Sequence, residues 1–308
     1  MASGWQRWRW LAPWAGTAIA LACIAGMIDP YRVRAAFDRI PVVWLAVACG
    51  LVALNVVAGA VRWQFALRAY GADRVPPLAT AVRLYFIAFF YNNYLPGAVA
   101  GDVVRGAVAH DVFAGRGPTA GLAVVLVERA LGLFALFLLL AAGLVLNGGV
   151  IHTHHYAIWT GIGLAGSTAL VLALPVARRL APHLPRAIGE YAGRVPELSS
   201  WGAFAASGVL SLATQALVTL AGWVLLRSLV PVSLGQALLI IPLAAATTFI
   251  PITVGGAGAR EFVYVVLGRM MLHLDAEDAL AASLALWLAH LAVGGIGGVI
   301  QLVRRRQP

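Results

Sequence analysis

The sequence contains no lysine and has little charge of any kind. Only 11% of its 308 residues are charged, whereas 61% are hydrophobic and the mean hydropathy is +0.87. A soluble globular domain needs more polar surface than this, and several apolar runs exceed the ~18 residues that mark a membrane-spanning helix. The composition therefore predicts an integral membrane protein of many spans, with one transmembrane domain over 1–308 and no soluble domain.

Cysteine is scarce as well, and no sequence motif for enzyme chemistry is present. Cys23 and Cys49 lie within apolar runs, which indicates small core residues rather than a disulfide or metal ligands. The histidines at 152–155 have no cysteine or carboxylate nearby, and the acids at 275–278 are typical of a helix start. No glycine-rich phosphate loop or nucleophile elbow occurs. We therefore predict no catalytic residue, no metal and no cofactor.

All 22 basic residues are arginines, and they give the chain a net charge of +10. They lie in short connections or inside apolar runs, which favours anionic lipid headgroups rather than nucleic acid as the partner. Their distribution orients the chain, because basic residues accumulate on the cytoplasmic side. We predict a multi-pass inner-membrane protein with both termini in the cytoplasm. Only Arg32, Arg34 and Arg39 lie on the opposite side in this arrangement.

The apolar runs predict six full spans and two segments that proline interrupts. The spans cover about 10–28, 41–63, 122–146, 156–175, 201–226 and 279–303. The first interrupted segment covers 78–95, breaks at Pro96 and continues over 101–113. The second covers 234–250, breaks at Pro251 and continues over 260–272. The arginine distribution agrees with the positive-inside rule if each interrupted segment returns to the side from which it entered. The first segment would then enter from the cytoplasmic side and the second from the outer side.

We accordingly predict an all-α polytopic membrane protein with about six full transmembrane helices and two re-entrant helical hairpins. When the two breaks are aligned, three pairs of identical residues have the same separation along the sequence. These pairs are Pro96 with Pro251, Gly101 with Gly256, and Arg105 with Arg260. Because the hairpins enter from opposite sides, this match predicts an inverted repeat with halves at about 41–146 and 201–303.

A backbone break inside a membrane requires polar surroundings, so each hairpin predicts a polar chamber. The helix that follows each break has unpaired amides and a positive dipole end, which suit an anion. Arg105 and Arg260 lie about one turn into these helices, and Asp102 and Glu261 are placed to hold them. The alternative is that Asp102 and Arg105 only neutralise each other as a structural pair.

Glu128 and Arg129 lie near the middle of their span. Adjacent helical residues point about 100° apart, so we expect Arg129 to reach Asp102 and Glu128 to reach Arg105 or Arg260. A structural charge network without substrate contact is the alternative. The candidate substrate-binding residues are Asn92, Asn93, Pro96, Gly101, Asp102, Arg105, Glu128, Arg129, Gly255, Gly256, Gly258, Arg260 and Glu261. Further expected lining residues are Arg83, Tyr91 and Tyr94, while Arg62 and Trp63 are interpreted as an interfacial anchor.

These motifs, taken in order, resemble the transmembrane region of the lysylphosphatidylglycerol synthase family. The resemblance rests on Arg62-Trp63, the stretch 93–105, Glu128-Arg129, and the stretch 250–261, and it covers nearly the whole chain. It implies lipid handling, with Asp102, Arg105, Glu128, Arg129 and Glu261 as motif residues. Fused members of the family also carry an aminoacyl-transferase domain. That domain is missing from this sequence, so the resemblance does not imply lysyl transfer.

The leading functional hypothesis is a flippase or transporter that moves an anionic lipid, such as a phospholipid or a polyprenyl phosphate, between leaflets. One alternative is a membrane enzyme acting on a polyprenyl phosphate or glycolipid, with Glu128 or Asp102 as the base. The other is a non-catalytic partner of a separately encoded lipid-modifying enzyme. The sequence leaves the oligomeric state open.

Overall fold

The computed structural model describes residues 12–95, 100–108, 112–113, 118–147, 154–183, 185–193, 195–249 and 256–305. Over these residues the chain forms twelve α-helices and no β-strand, which confirms an all-α fold. The helices are α1 (Ala12–Ala25), α2 (Pro30–Asp38), α3 (Val42–Ala69), α4 (Leu78–Tyr94), α5 (Ala100–Val108), α6 (Pro118–Leu146), α7 (His154–Leu180), α8 (Arg186–Gly193), α9 (Trp201–Arg227), α10 (Leu234–Ala246), α11 (Ala259–Leu272) and α12 (Ala276–Arg305).

Five of these helices are long and apolar enough to cross a membrane. The crossing segments are Val42–Ala69, Thr119–Leu146, His155–Ala173, Trp201–Arg227 and Ala276–Val303. They correspond to five of the six predicted spans. The predicted span end at about Pro175 agrees with the crossing segment, which ends at Ala173, while α7 itself continues through this proline to Leu180. A proline removes only one backbone hydrogen bond, and long membrane helices tolerate that loss.

The first predicted span is a bent pair of helices. α1 has 14 residues, which cover about 21 Å and fall short of the ~30 Å hydrocarbon core. The chain then turns by 88° into α2, so a sixth span is present only if the pair counts as one. Asp29 sets the turn, because its side chain accepts a hydrogen bond from the Tyr31 N–H at 2.9 Å and Pro30 occupies the first helical position.

The three arginines that disagree with the charge rule lie on or beside α2, and each has an acidic partner. Arg39 forms an ion pair with Asp278 at the start of α12. Arg32 and Arg34 lie 3.9 and 4.0 Å from the carboxylates of Asp29 and Asp38. Their charges are therefore balanced locally, which explains why they do not follow the distribution of the other arginines.

α4 and α5 form a helix pair that returns to the face from which it started. The Asp73 N–H, before α4, donates to the Val112 carbonyl, beyond α5, at 3.0 Å. The same face carries the end of α3 and the start of α9, where the Ser199 N–H donates to the Ala69 carbonyl at 2.8 Å. With 17 and nine residues, α4 and α5 cover about 26 and 14 Å, so neither crosses a ~30 Å core alone.

α10 and α11 form the second helix pair. This pair starts and ends at the face of the protein opposite to the one where α3 ends and α9 starts. α9 crosses the protein and delivers the chain to this face at Arg227. Leu229 and Val230, which precede α10, and Leu272 and Leu274, at and after the end of α11, all pack against the same buried cluster. The structure thus contains two helix–break–helix units that project from opposite faces.

The residue-by-residue match between the two breaks is not reproduced by the helices. Gly101 lies inside α5, whereas Gly256 precedes α11 and has a φ of +81°. The two arginines also differ in position, because Arg260 is the second residue of α11 and Arg105 the sixth of α5. The inverted repeat stays a prediction. Pro96, Pro251 and Gly255 lie outside the described residues.

The arrangement of the second helix pair can be tested by cysteine labelling in sealed vesicles. In a variant without Cys23 and Cys49, cysteines at the exposed positions Ser233 and Asp275 should react with a membrane-impermeant maleimide from the same side. Cysteines at exposed Asp73 and Glu197 should react from the other side, because they lie at the face where α3 ends. Labelling of positions 233 and 275 from opposite sides would contradict a returning helix pair.

Candidate functional site

Glu128 is the centre of a buried charge network. It lies on α6 with 1% of its surface exposed, in a helix whose other faces are apolar. Arg105 Nη1 donates to Glu128 Oε2 at 2.8 Å, and Arg62 Nε donates to Oε1 at 3.0 Å. The Tyr85 hydroxyl also donates to Oε1. A carboxylate buried in this way is stabilised only because cationic donors surround it.

Asp102 extends the network to a third arginine. It accepts hydrogen bonds from Arg105 Nη2, one turn along α5, and from Arg129 Nε on α6. Arg105 therefore joins the two carboxylates, and its guanidinium also lies over the Tyr85 ring at 4.2 Å. The predicted pairing of Arg129 with Asp102 is confirmed, and of the two arginines predicted for Glu128 the partner is Arg105, whereas Arg260 pairs with Glu261. Adjacent residues on α6 point in different directions, so Glu128 and Arg129 reach different partners.

Arg62 belongs to this network, and its interpretation as an interfacial anchor is wrong. Its side chain is 12% exposed, and it also donates to Thr214 Oγ1 and to the Tyr85 hydroxyl, both at 3.2 Å. Trp63 is completely buried in the core. The reason is the length of α3, which continues to Ala69. Arg62 and Trp63 therefore lie about two turns inside the bundle rather than at the end of a span.

A second ion pair approaches from α11. Arg260 Nε donates to Glu261 Oε1 at 2.9 Å, and the hydroxyl of Ser283 on α12 lies 3.3 Å from the same oxygen. Glu261 Oε2 accepts from the Gly258 N–H at 2.7 Å, so this carboxylate also caps the start of α11. Glu261 holds Arg260, as the sequence predicts for this pair.

The glycines and helix starts do not have the role that the sequence suggests. The Gly101 N–H donates to Asn92 Oδ1 at 2.8 Å, and the Gly258 N–H is bound by Glu261. These two amides are thus used within the protein and are not available to an anion. A Cβ at Gly101 would lie 2.0 Å from the Ala88 carbonyl oxygen, and one at Gly256 would lie 2.6 Å from Thr248 Cγ2. Both glycines serve close packing and do not line the chamber.

The charge network lines one side of a cavity of about 500 Å³ between the two helix pairs. Seven of the predicted residues line it, namely Asn92, Asn93, Asp102, Arg105, Glu128, Arg129 and Arg260. Glu261 is not among the described lining residues, but it accepts a hydrogen bond from Arg260, which is. The structure therefore brings both predicted arginine–acid pairs to one polar chamber, whereas Gly101, Gly256 and Gly258 are not among its described lining residues.

The exposed residues among the described lining are Trp14, Tyr94, Leu95 and Trp287. They come from α1, from the end of α4 and from α12. The Tyr94 hydroxyl donates to the Leu291 carbonyl at 2.9 Å, so its polar atom is already bonded. The cavity thus has a charged interior and an apolar, largely aromatic mouth that faces outward from the helix bundle.

Several lining residues were missed from the sequence. Gln215 and His290 are polar residues within long apolar helices, and that signal was sufficient to find them. Tyr85 and Trp287 look like ordinary aromatic residues of membrane helices and carry no such signal. Tyr94 lines the cavity as expected, whereas Arg83 is exposed and lies in a separate groove.

The fold and the chamber together define a polytopic α-helical membrane protein with a charged cavity inside the helix bundle. The chain belongs to the family described as the lysylphosphatidylglycerol synthase TM region, whose model matches residues 13–298. Membership links it to membrane proteins of lipid synthesis or translocation. The comparison with curated proteins gave no match.

Proposed function

We propose that the protein translocates an anionic lipid between leaflets, with the headgroup passing through the chamber and the tails remaining in the bilayer. One observation carries this proposal. Among the residues that the structure describes, four arginines line the cavity and three carboxylates pair with them, two in the lining and Glu261 behind it. The charged groups therefore sum to about +1, and an anionic headgroup would neutralise the site.

The guanidinium groups can donate further hydrogen bonds to such a headgroup. Each guanidinium carries five N–H groups, and Arg105 Nε is buried without a hydrogen-bond partner among the described residues. The side chain of Arg129 is 24% exposed, compared with 6% for Arg105. Arg129 is therefore the arginine that an entering headgroup meets first, with Arg105 deeper in the chamber.

The mouth of the cavity supports a lipid rather than a soluble anion. Trp14, Leu95 and Trp287 offer apolar surface to acyl or polyprenyl chains at the same opening that admits the headgroup. A soluble anion would gain nothing from such a mouth. Asp102 and Glu128 are occupied by arginine donors, which favours binding and transport over a role as a catalytic base.

The two helix pairs supply a route for alternating exposure. Their inner ends meet at the chamber, but they project from opposite faces of the protein. A small displacement of either pair would open the chamber toward one side while the other side stays packed. The arginines remain bound to their carboxylates in the empty site and exchange some of these contacts for the phosphate when a lipid enters.

The proposal predicts that Arg129→Gln slows leaflet exchange at least tenfold. Loss of one charge-assisted hydrogen bond to a phosphate removes about 1.5–3 kcal/mol of binding free energy. The rate should be measured in proteoliposomes with fluorescent phosphatidylglycerol, fluorescent polyprenyl phosphate and, as neutral comparison, fluorescent phosphatidylcholine. Wild type should accelerate an anionic lipid selectively.

Arg68→Gln is the matched control, because Arg68 is exposed and stacks on Phe65 outside the chamber. This variant should exchange lipid at the wild-type rate. If Arg129→Gln and Arg105→Gln both fold and both retain the wild-type rate, the chamber is not the translocation route. Catalysed exchange of phosphatidylcholine at the same rate would likewise exclude an anion-selective site.

A further inference from the structure

A second surface feature, separate from the chamber, lies between α4 and α12. These two helices pack very closely at Gly297, where a Cβ would lie 2.0 Å from the Phe86 carbonyl oxygen. Beyond this crossing an open groove runs along the outside of the pair. It is lined by Leu78, Ala79, Val82, Arg83, Phe86 and Ile300. The groove is apolar along its length except for one charged side chain.

Arg83 is that charged side chain, and its guanidinium has no counter-ion within the described part of the chain. It is exposed, and no ion pair or hydrogen bond joins it to any part of the chain that the structure describes. Tyr85 lies two positions further along α4, about 200° around the helix, and lines the chamber. Arg83 therefore faces away from the chamber, and its charge does not belong to the network around Glu128.

The position of Arg83 along α4 indicates that its guanidinium needs a polar partner. It is five residues beyond Leu78, the first residue of α4, and so lies about 7.5 Å from the helix start. A guanidinium in contact with lipid at that depth would be costly unless it reached polar groups at the interface. The groove beside it offers space for a hydrocarbon chain, while the guanidinium matches a phosphate by bidentate hydrogen bonds.

We propose that this groove binds an anionic phospholipid, with the phosphate on Arg83 and one acyl chain between α4 and α12. Charge complementarity selects the occupant, because an apolar groove with a single unpaired cation fits a molecule that has one anionic end and an apolar remainder. The chain also carries Arg304, Arg305 and Arg306, shortly after Ile300. Such basic clusters attract anionic lipids to the same end of a helix.

The test uses the full chain in nanodiscs with a photoreactive phosphatidylglycerol whose acyl chain carries a diazirine, and a photoreactive phosphatidylcholine as the neutral arm. Crosslinked peptides are identified by mass spectrometry. Phosphatidylglycerol should label the segment 78–86 about fivefold more than phosphatidylcholine, the preference expected for one arginine near a membrane surface. Arg83→Gln should reduce phosphatidylglycerol labelling to the level of phosphatidylcholine, and Arg83→Lys should retain most of it.

Two further variants separate this groove from the chamber. Arg105→Gln alters the proposed transport site, and Arg68→Gln removes an exposed arginine elsewhere; both should leave labelling of 78–86 unchanged. Val82→Trp fills the groove and should reduce labelling by both lipids. Equal labelling by the two lipids in wild type, or unchanged labelling in Arg83→Gln, would overturn the proposal. Competition by glycerol 3-phosphate would also overturn it, because a site for free phosphate needs no acyl chain.

Discussion

Replacing Glu128 with glutamine should destabilise the folded protein by about 3–5 kcal/mol, the usual cost of removing one partner from a buried ion pair. Glutamine keeps the shape of the side chain but removes the charge that faces two guanidinium groups. Arg62 and Arg105 would then keep their positive charges in a site where the carboxylate is 1% exposed. The free energy of unfolding should be measured on purified protein in detergent by denaturant titration with circular dichroism.

Glu197 provides the matched control for this prediction. It forms an ion pair with Arg178 at 3.0 Å, but its side chain is 69% exposed. Water screens such a pair, so Glu197→Gln should change the stability by only about 0–1 kcal/mol. A loss for Glu128→Gln that is as small as the loss for Glu197→Gln would show that the chamber is hydrated and that its network contributes little to folding.

A double variant should show that the charges act together. Adding Arg105→Gln to Glu128→Gln removes one of the two guanidinium groups that faced the lost carboxylate, so the double variant should lose less than the sum of the two single losses. Additive losses would contradict a direct coupling between these two side chains. The same set of variants in the leaflet-exchange assay would show which residues stabilise the chamber and which contact the lipid.

Gly101→Ala should have the second large effect, because the added methyl group has no space. Its Cβ would lie 2.0 Å from the Ala88 carbonyl oxygen, and a backbone atom cannot move aside by changing rotamer. α5 must therefore shift away from α4. We expect a loss of about 1–3 kcal/mol or somewhat more, together with slower transport, because Asp102 and Arg105 follow on the same helix.

Gly208→Ala is the control for this substitution. Gly208 lies within α9, and no atom beyond its own helix backbone lies within 4 Å of a Cβ built there. Alanine favours a helix over glycine, so Gly208→Ala should leave the stability unchanged or raise it by up to about 1 kcal/mol. If Gly101→Ala behaves in the same way, α4 and α5 are not packed as closely as the structure shows.

The sequence determined the features that depend on local pattern and on the cost of charge in a membrane. Long apolar runs predicted five spans, with the largest error at the end of α3, since a helix that crosses hydrocarbon needs a minimum length. Charged residues in such runs must find partners, so the sequence predicted the pairing of Arg129 with Asp102 and reduced the partners of Glu128 to Arg105 or Arg260. Asp29 and Pro30 likewise marked the turn after the first helix, because their side-chain chemistry suits the start of α2.

The tertiary structure decided what depends on how the helices cross. Arg62 seemed to end a span because the apolar run ends near it, but α3 continues and places it against Glu128 and Tyr85. The roles of Gly101 and Gly256 also depended on which atoms lie opposite, namely the Ala88 carbonyl oxygen and Thr248 Cγ2. The aromatic mouth, with Trp14 and Trp287, is assembled from helices more than 260 positions apart. Contacts between segments so distant in sequence leave no local signal, so only the assembled bundle shows them.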